Sequence, residues 1–320
     1  MNDYKFLEKA GCEVAANVRL EKFTTFQLGG PCPCLVSCQT PQQLEQTIRE
    51  LLNRKLKFIL IGSGSNLLVS DSGLDCVVVR FVSEKPLIEL SGEKILVSSS
   101  TLLDDLALFA AQHSLEGLNC TTGIPGTVGG AIVGNAGAFG KQISDCLESI
   151  ELLDEGGIKQ TVFPSSLDFQ YRHSNLKEAN KIVLSACFKL IRGDKEKLLS
   201  ERQEILKIRH EKHPDLMHYP CAGSFFKNIE PTSAAGRRQA AGWFLEQAGA
   251  KEMKVGGAVV YEKHANIIVK SSGCTSQNVY DLSRKMAEVV QKQFGFSLTR
   301  EVRLVGEFSG CLDGSCQIIK

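Results

Sequence analysis

Between residues 41 and 54 the apolar side chains Leu44, Ile48, Leu51 and Leu52 recur at steps of three and four, the period that gathers them on one face of an α-helix. Thr40 and Pro41 stand where an N-cap and a first helical residue belong. The unbroken apolar run KFILIG (57–62) predicts a buried strand, and DCVVVRF (75–81) a second one. Together these form an α/β unit over about 24–82. A second unit opens with strand KILVSSS (94–100) and a helix near 102–113. SIELLDEGGIKQTVF (149–163) reads as a hairpin turning at Asp154 to Gly157, and KIVLSACFKLI (181–191) as a strand. The pattern then turns polar: 192–215 predicts a charged helix capped by Asp194, stopped by Pro214 and bridging into a last unit. That unit holds a helix near 234–248 ending at Gly249 and a hairpin-like KVGGAVVYEKHANIIVKS. A helix over 276–294 closed by Gly295 and a strand over 298–308 follow. The polar tail 309–320 is expected to be disordered.

One stretch fits no such period. GIPGTVGGAIVGNAGAFG (123–140) has seven glycines in eighteen positions, whereas 29 in 320 would give fewer than two. Glycine allows close approach and positive φ at an entropic cost. Flexible linkers carry Ser, Pro or charge; here Ile124, Val128, Ile132, Val133 and Phe139 are interleaved, so the loop is expected to be packed and to offer little helix or strand. Its chemistry is that of a main-chain cradle for a phosphate-bearing cofactor. A Walker A loop is excluded, because NAGAFGKQ puts Asn135 and Gln142 where Gly and Ser/Thr are required. A Rossmann fingerprint is excluded too: GSGSNL (62–67) lacks the third glycine and runs into an extended segment rather than a helix. Two separate loops remain, 61–71 and 123–140. Main-chain N–H groups with Ser63, Ser65 and Asn66 would make an anion nest, suited to a long ligand with phosphate at its middle and a flat end, such as a flavin dinucleotide.

Composition narrows the partners. The 320 residues are 43% hydrophobic and 23% charged, ordinary for a globular protein of two or three domains. Lys and Arg (37) nearly balance Asp and Glu (36), and a net charge of +1 leaves no footprint for nucleic acid or an anionic membrane. There is no secretory-type apolar run and nothing near the roughly 20 apolar residues of a membrane span, so a cytoplasmic location is expected; the working expectation for the assembly is a monomer. The twelve cysteines include no C-x-x-C. Cys32, Cys34 and Cys38 could bind a metal, but no histidine flanks them; reduced, scattered, buried thiols are favoured, and no metal site is expected.

GSGSNLLV and the glycine stretch, with FTTFQLGG (23–30), YRHS (171–174), AGSFFKN (222–228), VGGAVVYEKHANIIV (255–269) and REVRLVG (300–306), resemble in order the UDP-N-acetylenolpyruvoylglucosamine reductases, the MurB family. The likeness spans about residues 20–307. It implies an α+β fold: a two-part FAD-binding domain of the PCMH/VAO-like type over 20–193 and a C-terminal α/β substrate-binding domain over 206–307. It also implies FAD held non-covalently, in keeping with the absence of His and Cys from 61–71. NADPH would be the reductant and UDP-N-acetylglucosamine enolpyruvate the substrate, giving UDP-N-acetylmuramate for peptidoglycan synthesis. Larger members carry an inserted loop with a tyrosine. Between Arg172 and Ser224 this chain has room for one strand and one helix, so it resembles the shorter type.

The resemblance assigns roles. Hydride reaching C3 of the enolpyruvyl group leaves negative charge at C2 and its carboxylate, which must be stabilised and then protonated. Ser224 matches the proton donor, Arg172 the arginine at the developing charge, and Glu301 the third active-site residue. Taken singly, these read as a polar turn residue, a strand-end arginine and a surface carboxylate paired with Arg300 or Arg303. Cofactor contacts would come from Gly62, Ser63, Gly64, Ser65 and Asn66, from Gly123, Ile124, Pro125, Gly126, Thr127, Gly129, Gly130, Asn135 and Gly137, and from Arg209 and Arg303. Tyr171, Lys212, Tyr219, Lys227 and Asn228 would meet the substrate. His264 and Asn266 read as structural. Two rivals stay open: an FAD oxidase of a small alcohol or sugar, and a nucleotide-binding module without catalysis.

Overall fold

The computed structural model describes residues 4–230 and 237–311. β1 (Glu13–Arg19) pairs antiparallel with β2 (Pro31–Cys38), which leads into α1 (Pro41–Asn53). Thr40 caps α1 in a reciprocal box with Gln43. β3 (Phe58–Ile61), β4 (Leu67–Val69) and β5 (Val77–Phe81) follow, giving a sheet of order β1-β2-β5-β3 whose last three strands run parallel. Strand alternation sends Val77, Val79 and Phe81 into a core with Leu44, Ile48 and Leu51 of α1, and Val78 into a second core with Leu20, Ile59 and Ile61. Leu7 and Cys12 join the first of these cores. Packed residues thus extend ahead of the 24–82 expected from the pattern, because β1 pairs with the edge of β2.

The second unit contains β6 (Ile88–Ser91), β7 (Lys94–Ser98), α2 (Leu103–Gln112), β8 (Leu115–Glu116), α3 (Val128–Gly134), β9 (Gly137–Ala138) and β10 (Lys141–Gln142). It continues with β11 (Leu147–Leu153), β12 (Lys159–Val162), β13 (Ile182–Lys189) and β14 (Ile191–Arg192). Five of these strands form an antiparallel sheet of order β12-β11-β13-β7-β6. α3, seven residues long, corrects the expectation that the glycine stretch offers little helix. Thr127 caps it, and Val128, Ala131 and Ile132 are buried, so packing overrides the low helix propensity of its glycines.

α4 (Lys195–Lys212), capped by Asp194, does more than bridge. It lies along α2, where Arg202 grips Asp104 with two bonds of 2.7 and 2.6 Å. Asp104 also accepts the Gly123 N–H at 2.6 Å, so the pair ties α4 to the glycine loop. Burial raises the Asp104 carboxyl and the Arg202 bonds oppose it, leaving it below the usual range. Arg202→Met strands that carboxylate. The expected loss is about 1–3 kcal/mol of unfolding free energy by denaturant titration, below the fully buried case because Asp104 is 39% exposed.

The last unit comprises α5 (Ala241–Gln247), β15 (Lys254–Val255), β16 (Ala258–Tyr261), β17 (His264–Lys270), α6 (Ser276–Phe294) and β18 (Arg303–Val305). α6 has the predicted bounds and Gly295 stop; it packs over the β15-β16-β17 sheet around Tyr280, Met286 and Val290. The first helix is shorter than expected. Residues 237–240 lie outside it, and residues 234–236 of that expectation lie outside the described residues. The terminal strand is also shorter, three residues instead of eleven, because its partner β4 is equally short and parallel. That pairing joins the C-terminal unit to the first one. Asp71 strengthens the joint by accepting the N–H groups of Ser276 and Gln277 at the start of α6. Within the expected tail, Ser309 and Gly310 bond to Gln277 and Tyr280; residues 312–320 lie outside the described residues. No helix among the described residues is long and apolar enough to cross a membrane.

Candidate active site

The two loops read from the sequence meet at the end of β3. Ser65 Oγ donates to the Pro125 carbonyl at 2.9 Å. A Cβ on Gly62 would lie 2.5 Å from Thr127 Oγ1, and one on Gly64 (φ +64°) 2.2 Å from the Phe23 carbonyl oxygen. Bare main chain is required there by close approach. The Ser63 hydroxyl is buried with no partner among the described residues, as is Arg209 Nε at the end of α4. Gly123 (φ +68°) receives the Arg209 side chain, since a Cβ would stand 2.8 Å from Arg209 Cδ. Burial holds the Arg209 and Arg303 guanidiniums below their usual range, and an anion would relieve that cost.

Not every expected cofactor contact is free. The N–H groups of Gly123 and Ile124 bond to Asp104 and Thr121, that of Gly129 to Ser99, and that of Gly130 to Thr127 Oγ1. Asn135 is fully buried, with its amide bonded to Gln142 and the Gln170 carbonyl and accepting from Ser144. These atoms fix the loop's shape, because buried polar groups must find partners. Gly126 and Thr127 carry the contact with the first loop instead. Asn66 spans the domains: its amide donates to the Glu301 carbonyl at 3.1 Å, and its own carbonyl accepts the Arg303 N–H at 3.0 Å.

Arg172 and Glu301, 129 residues apart in the chain, come together. Arg172 Nε donates to Glu301 Oε1 at 2.9 Å, and its Nη2 to the Gly137 carbonyl at 2.8 Å. Arg172 itself has φ +54°. Burial pushes the Glu301 carboxyl above the usual range, with Arg172 opposing. Glu301 is therefore not an exposed carboxylate, and Arg172 is a partner that the single-residue reading did not offer. Ser224 lies on the neighbouring extended segment, one residue before Phe225, whose carbonyl accepts the Glu301 N–H at 2.8 Å. Asn266, buried, clamps this segment by accepting from Phe226 N–H and donating to the Phe226 carbonyl, the structural part expected of it. His264 Nδ1 accepts the Asn266 N–H.

Among the expected substrate residues, Lys227 approaches Glu301 closely enough to act on its charge. The Asn228 N–H donates to Tyr171 Oη at 3.4 Å, while Asn228 Oδ1 accepts from Ala241 N–H at the start of α5. Arg238 lies 4.1 Å over the Tyr171 ring. Lys212 and Tyr219 are exposed, and the Tyr219 ring lies against that of Tyr261. Lys177 was not read from the sequence. Its signal was its place five residues after Arg172, and only the fold shows that its ammonium turns back to that loop. Among the described residues no three His, Cys, Asp or Glu side chains gather to hold a metal. Cys32, Cys34 and Cys38 are buried, with Cys12 Sγ 3.4 Å from Cys38 Sγ.

Residues 32–162 match the family described as an FAD binding domain, which sets the class as a flavin-dinucleotide protein. Residues 215–305 match the C-terminal domain of UDP-N-acetylenolpyruvoylglucosamine reductase. The curated reductase of that name from Clostridium beijerinckii is 37% identical over 295 residues, 92% of this chain and 94% of the relative. The one from Caldanaerobacter subterraneus is 37% identical over 91% and 93%. The crystal structure of the enzyme from Thermus caldophilus superposes with a TM-score of 0.75 at 31% identity, covering 92% of this chain and 99% of that one. The chain belongs to the UDP-N-acetylenolpyruvoylglucosamine reductase family. The buried Ser63 hydroxyl and Arg209 Nε, and the cradle that a Cβ at Gly62 or Gly64 would fill, fit FAD.

Proposed function

We propose that Ser224, Arg172 and Glu301 carry out the reduction of UDP-N-acetylenolpyruvoylglucosamine that this family performs with FAD and NADPH. FAD, when bound, supplies the hydride path from NADPH to C3 of the enolpyruvyl group. Arg172 offers a planar fork to the substrate carboxylate as charge spreads into it. Glu301 holds that fork from the far side. Ser224 gives its proton to C2, a strong base once C3 has taken hydride. The observation supporting this reading most is the Arg172–Glu301 pair. Its partners are 129 residues apart, only 24% and 20% exposed, and adjoin the Ser224 segment. A half-buried ion pair contributes little net stability, so a functional reason for it is the stronger one.

Gly62, Ser63, Gly64, Ser65, Asn66, Gly126, Thr127, Arg209 and Arg303 are assigned to the cofactor; Tyr171, Lys227 and Asn228 are assigned to the substrate. We further assign FAD binding to about 20–193 and substrate binding to 206–307, in a monomer working in the cytoplasm. The test is optical. Purified protein is expected to be yellow, to bleach with NADPH under anaerobic conditions, and to recover colour on adding the enolpyruvyl UDP-sugar. Recovery with oxygen alone, together with reduction by a small alcohol or sugar, would instead establish the oxidase rival. A colourless protein that takes up no FAD would defeat both.

A further inference from the structure

Arg172 reaches Glu301 from a main-chain conformation that non-glycine residues adopt at a cost. Its φ is +54°, so something must hold it. The turn that encloses it, closed by main-chain bonds of 3.1 Å in both directions between Gln170 and His173, does part of this, and the Lys177 ammonium adds a bond to the Arg172 carbonyl at 2.6 Å. Lys177 ends a short 3-10 turn, Asn175–Lys177. That turn is anchored by Ser174 Oγ to the Val133 carbonyl (2.8 Å) at the end of α3 and by buried Leu176. Four charged groups face the ammonium: Arg172 on its own loop, Lys227 from the segment after Ser224, and Glu301 and Arg303 from the chain around β18.

An amine that served stability alone is poorly placed here. Burial and the neighbouring Lys227, Arg303 and Arg172 cations all oppose its charge and bring it down to about 8 from its ordinary value. A buried apolar side chain would avoid that cost. The bond to Arg172 is what an apolar side chain could not replace.

We propose that Lys177 is a positioning residue of the active site, fixing the Arg172 main chain in its left-handed conformation so that the guanidinium meets both Glu301 and the substrate carboxylate. This rests on the role given to Arg172 above. Because Lys177 does not build the glycine cradle, its loss should spare cofactor binding and slow the step in which substrate takes hydride and a proton.

Rapid mixing separates these. Lys177→Ala is expected to keep native flavin content and melting temperature and to bleach with NADPH. Its reoxidation by the enolpyruvyl UDP-sugar should slow about 10–100-fold, the scale of a misplaced positioning group. Added ethylammonium should restore part of that rate in a concentration-dependent way. Reoxidation within about twofold of the native rate would overturn the proposal. So would a loss of flavin and melting temperature that parallels the rate and no amine repairs, since that marks a merely structural lysine. If the alanine variant does not accumulate, Lys177→Arg takes its place: a displaced cationic donor should give full flavin and several-fold slower reoxidation, and an unchanged rate would overturn the idea. Native enzyme run alongside keeps the readings apart, because a native flavin that the UDP-sugar cannot reoxidise defeats the assigned reaction, not the part played by Lys177.

Discussion

Ser224→Ala is expected to yield a folded, yellow protein that NADPH bleaches at the native rate and that forms product 10²–10⁴-fold more slowly, the usual cost of removing one positioned proton donor. Such a loss corresponds to about 3–5 kcal/mol of transition-state stabilisation. The fold should survive because the segment is held by main-chain and neighbouring contacts. Ser224 bridges Ile267, Phe225 donates its N–H to the Asn266 carbonyl, and Phe226 is clamped by the Asn266 amide. None of these uses the Ser224 hydroxyl. Flavin reduction should survive because the cradle residues are elsewhere in the chain. Stopped-flow measurement of the two half-reactions checks the split; normal product formation by Ser224→Ala would remove it from the mechanism.

Gly64→Ala is expected to abolish stable flavin binding. A Cβ at this position would stand 2.2 Å from the Phe23 carbonyl oxygen and 2.9 Å from Thr24 Cα, both main-chain atoms that cannot swing aside. The residue also has φ +64°, unfavourable for a side chain by about 1–2 kcal/mol before any clash. The opposing segment 23–25 is fixed, since Thr25 N–H donates to the Gly64 carbonyl and Thr24 Oγ1 to the Leu28 carbonyl. The loop must therefore move. Loss of about 3 kcal/mol would weaken FAD affinity roughly 100-fold, read by titrating FAD fluorescence and by the ratio of visible to ultraviolet absorbance. Gly134→Ala is the internal control. Gly134 lies in α3 with ordinary φ and nothing within 4 Å of where a Cβ would stand, so the variant should stay yellow. A fully yellow Gly64→Ala protein would show that the first loop does not form the cradle.

Local chemistry made much of the scaffold legible. Thr40 and Thr275 each close a capping box where the apolar period starts, so α1 and α6 begin there, and Asp194 accepts the Lys197 N–H to start the charged α4. Gly295 at φ +79° ends α6 for the same local reason. Two helices escaped that reading. α3 is built on glycines whose intrinsic preference is against helix, and its stability comes from Val128, Ala131 and Ile132 meeting a core assembled from distant strands. Residues 237–240, largely exposed, carry no comparable core contacts, so α5 is shorter than expected.

What the sequence settled by itself is the set of parts: two glycine-rich loops, a charged helix between units, and Ser224, Arg172 and Glu301 in motifs that resemble one family. These are local patterns of residue type and spacing, which survive without knowledge of the fold. What only the tertiary structure decided is how the parts meet. It sets Arg172 Nε on Glu301 Oε1 across 129 residues, Asn66 between domains, and β18 beside β4. It also shows which loop amides are already bonded within the protein and that Lys177 turns back on Arg172. Such contacts depend on long-range packing that brings distant segments into register. No local period encodes that register.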